Sequence, residues 1–104
     1  MHMEIDRTPS LVETAKQLLT RAFVRADDSV SRLNMLNSLA GQGRDQRPAR
    51  LRFAEAWQLL ERAGLICRDP DQHQGDWWFL TGAGKAALRG GDVQGSIMLA
   101  TTAL

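Results

Sequence analysis

The run Trp77-Trp78-Phe79-Leu80 constrains this chain more than any other feature, because it places three large aromatic side chains in consecutive positions. Side chains alternate across a strand, so Trp78 and Leu80 would share one face, and Trp77 and Phe79 the other. A lone hairpin is marginal in water, which requires one face to pack on other elements. We expect Trp78 and Leu80 in the core and Trp77 and Phe79 outside it. Exposed aromatic pairs form patches that usually mark an interface.

Two amphipathic segments open the chain and predict helices. Ser10 and Glu13 have the spacing of a capping box, and the apolar residues that follow recur at helical spacing, which predicts a helix over 9–25. The polar turn at 27–29 predicts the N-cap of a second helix, which ends at Gly41. We expect these apolar residues of the second helix to face inward: Val30, Leu33, Leu36, Leu39 and Ala40.

A third amphipathic segment gives the strongest helix prediction, and a hairpin follows it. Its inward stripe consists of Leu51, Phe53, Ala54, Trp57, Leu60 and Ala63. Gly64 suits the left-handed position that ends a helix. Residues 65–68 and 76–80 read as two short strands joined by a turn-rich loop, and Thr81 can cap a last helix. The fold class predicted is mainly α with a small β-hairpin, an α+β fold.

Length and charge restrict the domain count and the partners. The 104 residues suit one domain; we assign 1–3 to a tag remnant, 4–91 to the domain, and 92–104 to a linker or the start of a missing C-terminal domain. The net charge is only +1, so nucleic-acid binding has to rest on local clustering. The lone Cys67 fits a cytoplasmic protein. No apolar run approaches the roughly 20 residues that span a bilayer, so we expect no membrane partner.

Two motifs carry a resemblance to winged helix-turn-helix domains. The stretch LERAGLI at 60–66 resembles the end of their recognition helix, and WFLTGAG at 78–84 resembles their return from the wing into a helix. The resemblance covers about half of the chain and implies a bacterial DNA-binding fold.

A closer resemblance is to the N-terminal region of the Ymh-like proteins, an uncharacterised family of bacteria and phages. The stretches EAWQLLERAGL at 55–65 and GDWWFLT at 75–81 carry it, together with Pro70 in the turn between them. The resemblance implies that a separate helical domain, linked with RNA cleavage and phage defence, would follow. Relatives tend to have Arg-Arg-Gly after the threonine. This chain has GAG at 82–84, which weakens the expectation of nucleic-acid binding.

The candidate DNA contacts are basic. Four arginines precede or begin the third helix, whose first residues would reach base edges in a major groove: Arg44, Arg47, Arg50 and Arg52. His73 at the wing tip would touch a minor groove or the backbone, and Arg68 and Lys85 would flank it as phosphate contacts. The alternative is a solvated loop in which the arginines pair with nearby carboxylates.

The remaining chemistry-bearing residues favour structural roles. Trp57 lies at helical spacing with Phe53 and Leu60, which predicts a core position. Cys67 reads as a small buried residue of a strand. No nucleophile–base pair, phosphate-binding loop or metal-ligand spacing is present in the sequence, so we expect neither an enzyme nor a cofactor or metal.

Three functions remain open at this point. The first is a winged-helix DNA-binding module of a larger bacterial protein. The second is a protein-interaction or dimerisation module without DNA binding, which would use Trp77, Phe79, Ile97 and Leu99 as its contact. The third, RNA binding, follows only from the family resemblance.

Overall fold

The computed structural model describes residues 10–71 and 75–102, which form five α-helices and a small antiparallel sheet, so the α+β class is confirmed. The elements are α1 (Leu11–Ala22), β1 (Val30–Ser31), α2 (Arg32–Ala40), a 3₁₀ turn (Arg44–Gln46), α3 (Arg47–Arg62), β2 (Ile66–Arg68), β3 (Trp77–Leu80), α4 (Gly82–Gly90) and α5 (Val93–Thr102). Across the described residues, no helix has the length and apolar character that crossing a bilayer requires.

Helix α1 begins where its capping residue predicts and ends earlier than expected. The Ser10 hydroxyl accepts a hydrogen bond from the Glu13 amide at 3.1 Å, which satisfies one of the first amides of the helix. The helix stops at Ala22, three residues before the predicted end, because Phe23 leaves the helical conformation. Phe23 is only 2% exposed, so the end of α1 turns this ring into the core.

The sheet contains a strand that the sequence analysis missed. Its order is β1-β3-β2, with Val30 opposite Trp78 on one side and Ile66 opposite Leu80 on the other. The prediction that Val30 lies in the second helix was therefore wrong. The N-cap of α2 is Ser31, whose hydroxyl accepts a hydrogen bond from the Asn34 amide.

The prediction of which α2 residues face inward was also partly wrong. Leu33 and Leu39 are 56% and 40% exposed, and no residue of α2 is fully buried. The half-buried Met35, Leu36 and Ala40 pack against the core instead. This short helix therefore covers the core only loosely.

An aromatic cluster centred on Trp57 forms the middle of the core. The Trp57 ring stacks on Phe53 at 5.4 Å between centroids and meets Trp78 edge-on at 5.6 Å. Trp78 and Leu80 are 5% and 2% exposed, which confirms the predicted core face of the strand. Leu51 and Ala54 of the predicted α3 stripe are exposed, and Ala56 is buried in their place.

Helix α5 belongs to this same core. It packs on α1, α3 and α4, and its Val93 and Ile97 are 3% and 0% exposed. The described part of 92–104 thus shares its core with the residues before it.

Candidate nucleic-acid interface

Two exposed arginines stand at the start of α3. Arg44 lies in the 3₁₀ turn, and Arg47 is the first residue of the helix. The backbone at this end offers few free donors, because the Arg47 amide donates to the Arg44 carbonyl and Pro48 has no amide hydrogen. Within residues 10–71 and 75–102, neither guanidinium makes an ion pair. The start of α3 therefore exposes two arginines to solvent, with the exposed Asp45 between them in the chain.

Arg50, also predicted as a DNA contact, holds two helices together. Its Nη1 donates to the Asn37 side-chain oxygen at 2.8 Å and to the Gly41 carbonyl at 2.6 Å. These bonds tie the end of α2 to the second turn of α3. Arg50 is half-buried and holds the connection between the two helices in place, whereas Arg47 is exposed.

Arg52 does not share the exposure of Arg44 and Arg47. It is half-buried and lines a cavity between α1, the end of α2 and the start of α3. The structure therefore brings two of the four predicted arginines to an exposed position together.

Arg68 of the hairpin and Lys85 of α4 each have a carboxylate partner. Arg68 contacts Asp76 at 3.2 Å and lies over the Trp78 ring, 5.6 Å from its centroid. Lys85 contacts Asp27 at 2.8 Å. These pairs offset the positive charge that the predicted phosphate contacts would use. His73 lies outside the described residues.

Asp76, which the sequence analysis did not single out, joins three side chains. Its carboxylate accepts hydrogen bonds from Arg32 Nε at 2.5 Å, Trp78 Nε1 at 2.6 Å and Arg68 Nη2 at 3.2 Å. Burial alone would raise the pKa of Asp76, but these hydrogen bonds and the charges of both arginines outweigh it and lower the pKa. Its position two residues before Trp78, on the same side of the strand, is the signal that could have found the Trp78 contact.

Further contacts attach the 27–29 loop to the hairpin and to α4. The Ser29 hydroxyl donates to Asp69 at 2.7 Å, and this bond, with one from the Asp71 amide, lowers the pKa of Asp69. The hydrogen bond and the charge of Lys85 likewise lower the pKa of Asp27. The hairpin is thus fixed to the helical body at several points.

The predicted partner surface is only partly present. Trp77 and Phe79 are half-buried on the sheet face opposite the core, where Cys67 pairs with Phe79. Cys67 is exposed, so the prediction of a buried cysteine was wrong. Ile97 is fully buried and cannot contribute to a partner surface, whereas Leu99 is 75% exposed.

Comparison with protein-family models, with curated proteins and with solved structures finds no match to this chain. The interface itself presents two exposed arginines at the start of α3 and a hairpin that hydrogen bonds hold in place.

Proposed function

We propose that this chain is a winged-helix DNA-binding module in which α3 enters the major groove and the β2–β3 hairpin lies over the adjacent backbone. Arg44 and Arg47 supply the leading contacts, because the N-terminal residues of a recognition helix are those that reach base edges and nearby phosphates. The resemblance to winged-helix proteins and to Ymh-like N-terminal regions supports the same function.

The order of the elements supports this proposal. A connection at 41–46, which includes the 3₁₀ turn, joins α2 to α3; it is somewhat longer than the turn of about three or four residues in a helix-turn-helix motif. Gly41 and Gly43 have φ of 82° and 102° there, a conformation that glycine adopts without strain and that lets the chain reverse abruptly. The hairpin follows α3 directly, and β1 extends it into a sheet. This is the arrangement in which a wing would flank a recognition helix.

The exposure of Arg44 and Arg47 is the strongest support for this proposal. Within the described residues neither guanidinium group makes an ion pair, so both can attract phosphate oxygens. Guanidinium groups also bind phosphate and guanine through two parallel hydrogen bonds. A chain with a net charge of only +1 thereby concentrates positive charge where a duplex would meet α3.

Fluorescence anisotropy with a labelled mixed-sequence duplex at low salt tests the proposal. We compare the wild-type chain with Arg44→Ala/Arg47→Ala and with Arg62→Ala/Arg89→Ala, which removes the same charge elsewhere. Arg62 lies fifteen residues beyond Arg47 on α3, about 22 Å along the helix axis.

We expect the first double variant to lose affinity about tenfold or more, because each lost phosphate contact weakens binding. The control should change affinity by no more than about threefold, an effect of net charge alone. Equal losses in the two variants would refute a recognition role for the start of α3.

The alternative function is a protein-interaction or dimerisation module. The observation that favours it is the pairing of Lys85 and Arg68 with carboxylates, while Trp77 and Phe79 occupy the outer sheet face. Under this alternative, sedimentation velocity would show self-association that Trp77→Ser/Phe79→Ser abolishes, and the duplex would not bind at low salt.

A further inference from the structure

Two apolar residues, Leu51 and Ala54, lie on the exposed side of α3 directly beyond Arg47. The three residues recur at intervals of four and three, so they lie along one side of the helix. All three are exposed, and Leu51 has 48% of its surface open to solvent. The buried residues of α3 are Phe53, Ala56, Trp57 and Leu60. They occupy the opposite side of the helix, so the apolar pair Leu51 and Ala54 faces away from the core.

The spacing of the apolar pair fits neighbouring base pairs in a major groove. With a rise of about 1.5 Å per residue, Leu51 lies about 6 Å and Ala54 about 10.5 Å beyond Arg47 along the helix axis. The pair is thus separated by about 4.5 Å in this direction, close to the spacing of about 3.4 Å between stacked base pairs. A major groove admits a whole helix. A helix whose Arg47 contacts the duplex therefore brings both apolar side chains to base edges.

The chemistry of the apolar pair selects one base. Among the four bases, thymine presents a methyl group in the major groove, next to the hydrogen-bonding groups that every base pair carries there. Leucine and alanine side chains have no donor or acceptor, so they cannot replace the water that hydrogen-bonds to a G·C edge. Contact with the thymine methyl group instead removes apolar surface of both partners from water. RNA is a poor partner, because side chains cannot read its deep, narrow major groove.

Two glutamates limit this contact to the first half of α3. Glu55 and Glu61 are exposed, and carboxylates repel phosphate groups. Glu55 points about 100° around the helix axis from Ala54, and Glu61 lies two turns further along the chain. Only the side that runs from Arg47 to Ala54 can therefore approach a duplex closely.

We propose that Leu51 and Ala54 determine sequence specificity, each contacting the C5-methyl group of thymine in one of two neighbouring A·T base pairs of a DNA duplex. This specificity rests on the DNA-binding function proposed above. Arg44 and Arg47 hold the helix on the duplex, whereas the apolar pair distinguishes thymine from the other bases.

Replacing thymine by deoxyuridine tests the proposal, because it removes only the methyl group. Selection from a pool of random duplexes at low salt gives the preferred site of the wild-type chain. Each thymine of that site is then replaced singly, and binding is measured by fluorescence anisotropy. We expect two neighbouring base pairs at which the replacement weakens wild-type binding about three- to tenfold, because a buried methyl contact is lost.

The variant Leu51→Ser assigns one of these positions to its residue. It should bind the thymine and deoxyuridine duplexes equally at one of the two base pairs and keep the difference at the other, which Ala54 contacts. Ala83→Ser, at an exposed position of α4, is the control and should keep both differences. The deoxyuridine series on the wild-type chain does not depend on the stability of any variant.

The outcomes separate this specificity from DNA binding itself. Absence of wild-type binding at low salt would refute the proposed function together with the specificity. Salt-dependent binding without any effect of deoxyuridine, or an effect that Leu51→Ser leaves intact at both base pairs, would overturn the specificity alone. Self-association that Leu51→Ser abolishes, with no base preference, would show a protein contact on this side of α3 and would also overturn it.

Discussion

Asp76 shows how a single side chain fixes the position of the hairpin. Its carboxylate lies 21% exposed among Arg32, Arg68 and Trp78, so it connects the start of α2 with both long strands of the sheet. Hydrogen bonds to a charged acceptor in such a partly buried site contribute more than those between neutral groups.

The variant Asp76→Asn should therefore destabilise the chain. Asparagine keeps the shape but removes the charge that Arg32 and Arg68 contact, and we expect a loss of about 1–3 kcal/mol in the free energy of unfolding. Urea denaturation followed by Trp fluorescence measures it. Asp45→Asn is the control, since within the described ranges Asp45 makes no ion pair, and its effect should stay within about 0.5 kcal/mol.

The same carboxylate predicts a pH dependence with a definite sign. Because the folded state lowers the pKa of Asp76 below its ordinary value of 3.8, the ionised form contributes stability above that pH, and the contribution disappears as pH falls through the folded pKa. The difference in unfolding free energy between wild type and Asp76→Asn should be largest near pH 7 and shrink below about pH 4. A difference that is constant from pH 7 to pH 2.5 would contradict this role.

The contacts of single basic residues are the part of the site that the sequence predicts least well. The spacing of charges around 44–52 predicts a basic segment, and Arg44 and Arg47 are exposed as that requires. Charge spacing does not predict that Arg50 donates a hydrogen bond to Asn37. Nor does it predict that Lys85 pairs with Asp27, because these two residues lie 58 positions apart in the chain. Which arginine stays exposed is decided by tertiary packing.

At the scale of elements, the junction between β3 and α4 depends on one glycine. Thr81 caps α4 through the Gly84 amide and also donates to the Gly64 carbonyl at 2.6 Å, which draws α4 against the start of β2. A Cβ atom on Gly84 would come closer to the Leu65 carbonyl oxygen than real Cβ atoms approach any neighbour.

Gly84→Ala should therefore destabilise the chain by about 1–3 kcal/mol, although alanine is the better helix former. Gly82→Ala in the same helix is the matched control, because open space surrounds its Cβ position, and it should be neutral or stabilising by up to about 1 kcal/mol. Thermal unfolding followed by circular dichroism compares the two. Similar effects from both substitutions would show that the close approach does not matter.

Local patterns predict the elements that a local signal marks, and miss those that form only through distant contacts. Helix α3 and the strands β2 and β3 follow from amphipathic spacing and from the glycine at 64, whose φ is 77°. Strand β1 does not, because Val30 and Ser31 become a strand only by pairing with Trp78 and Trp77, far along the chain. A strand of two residues is too short to show a periodic pattern, so the sequence does not predict this pairing.

At the scale of the whole molecule, α5 completes the core. Ile97→Ala should cost about 2–4 kcal/mol, since it empties a fully buried position among α1, α3 and α4. Leu99→Ala, on the same helix and 75% exposed, should change stability by less than about 0.5 kcal/mol. Urea denaturation of both variants distinguishes a core helix from a linker, for which neither substitution would matter.

The charge of the whole molecule is nearly balanced, so its distribution decides what it can bind. Carboxylates pair with Arg68 of the hairpin and with Lys85 of α4, whereas Arg44 and Arg47 at the start of α3 are exposed. A duplex would therefore meet positive charge at the start of α3, and each phosphate contacted there would release counterions.

The salt dependence of duplex binding shows whether Arg44 and Arg47 contact phosphates. We predict that the wild-type affinity falls linearly on a log–log plot against salt concentration, and that Arg44→Ala/Arg47→Ala lowers the magnitude of the slope by about two. Arg62→Ala/Arg89→Ala should keep the wild-type slope. Absence of wild-type binding at low salt, or an unchanged slope in the first double variant, would contradict a DNA-binding function at the start of α3.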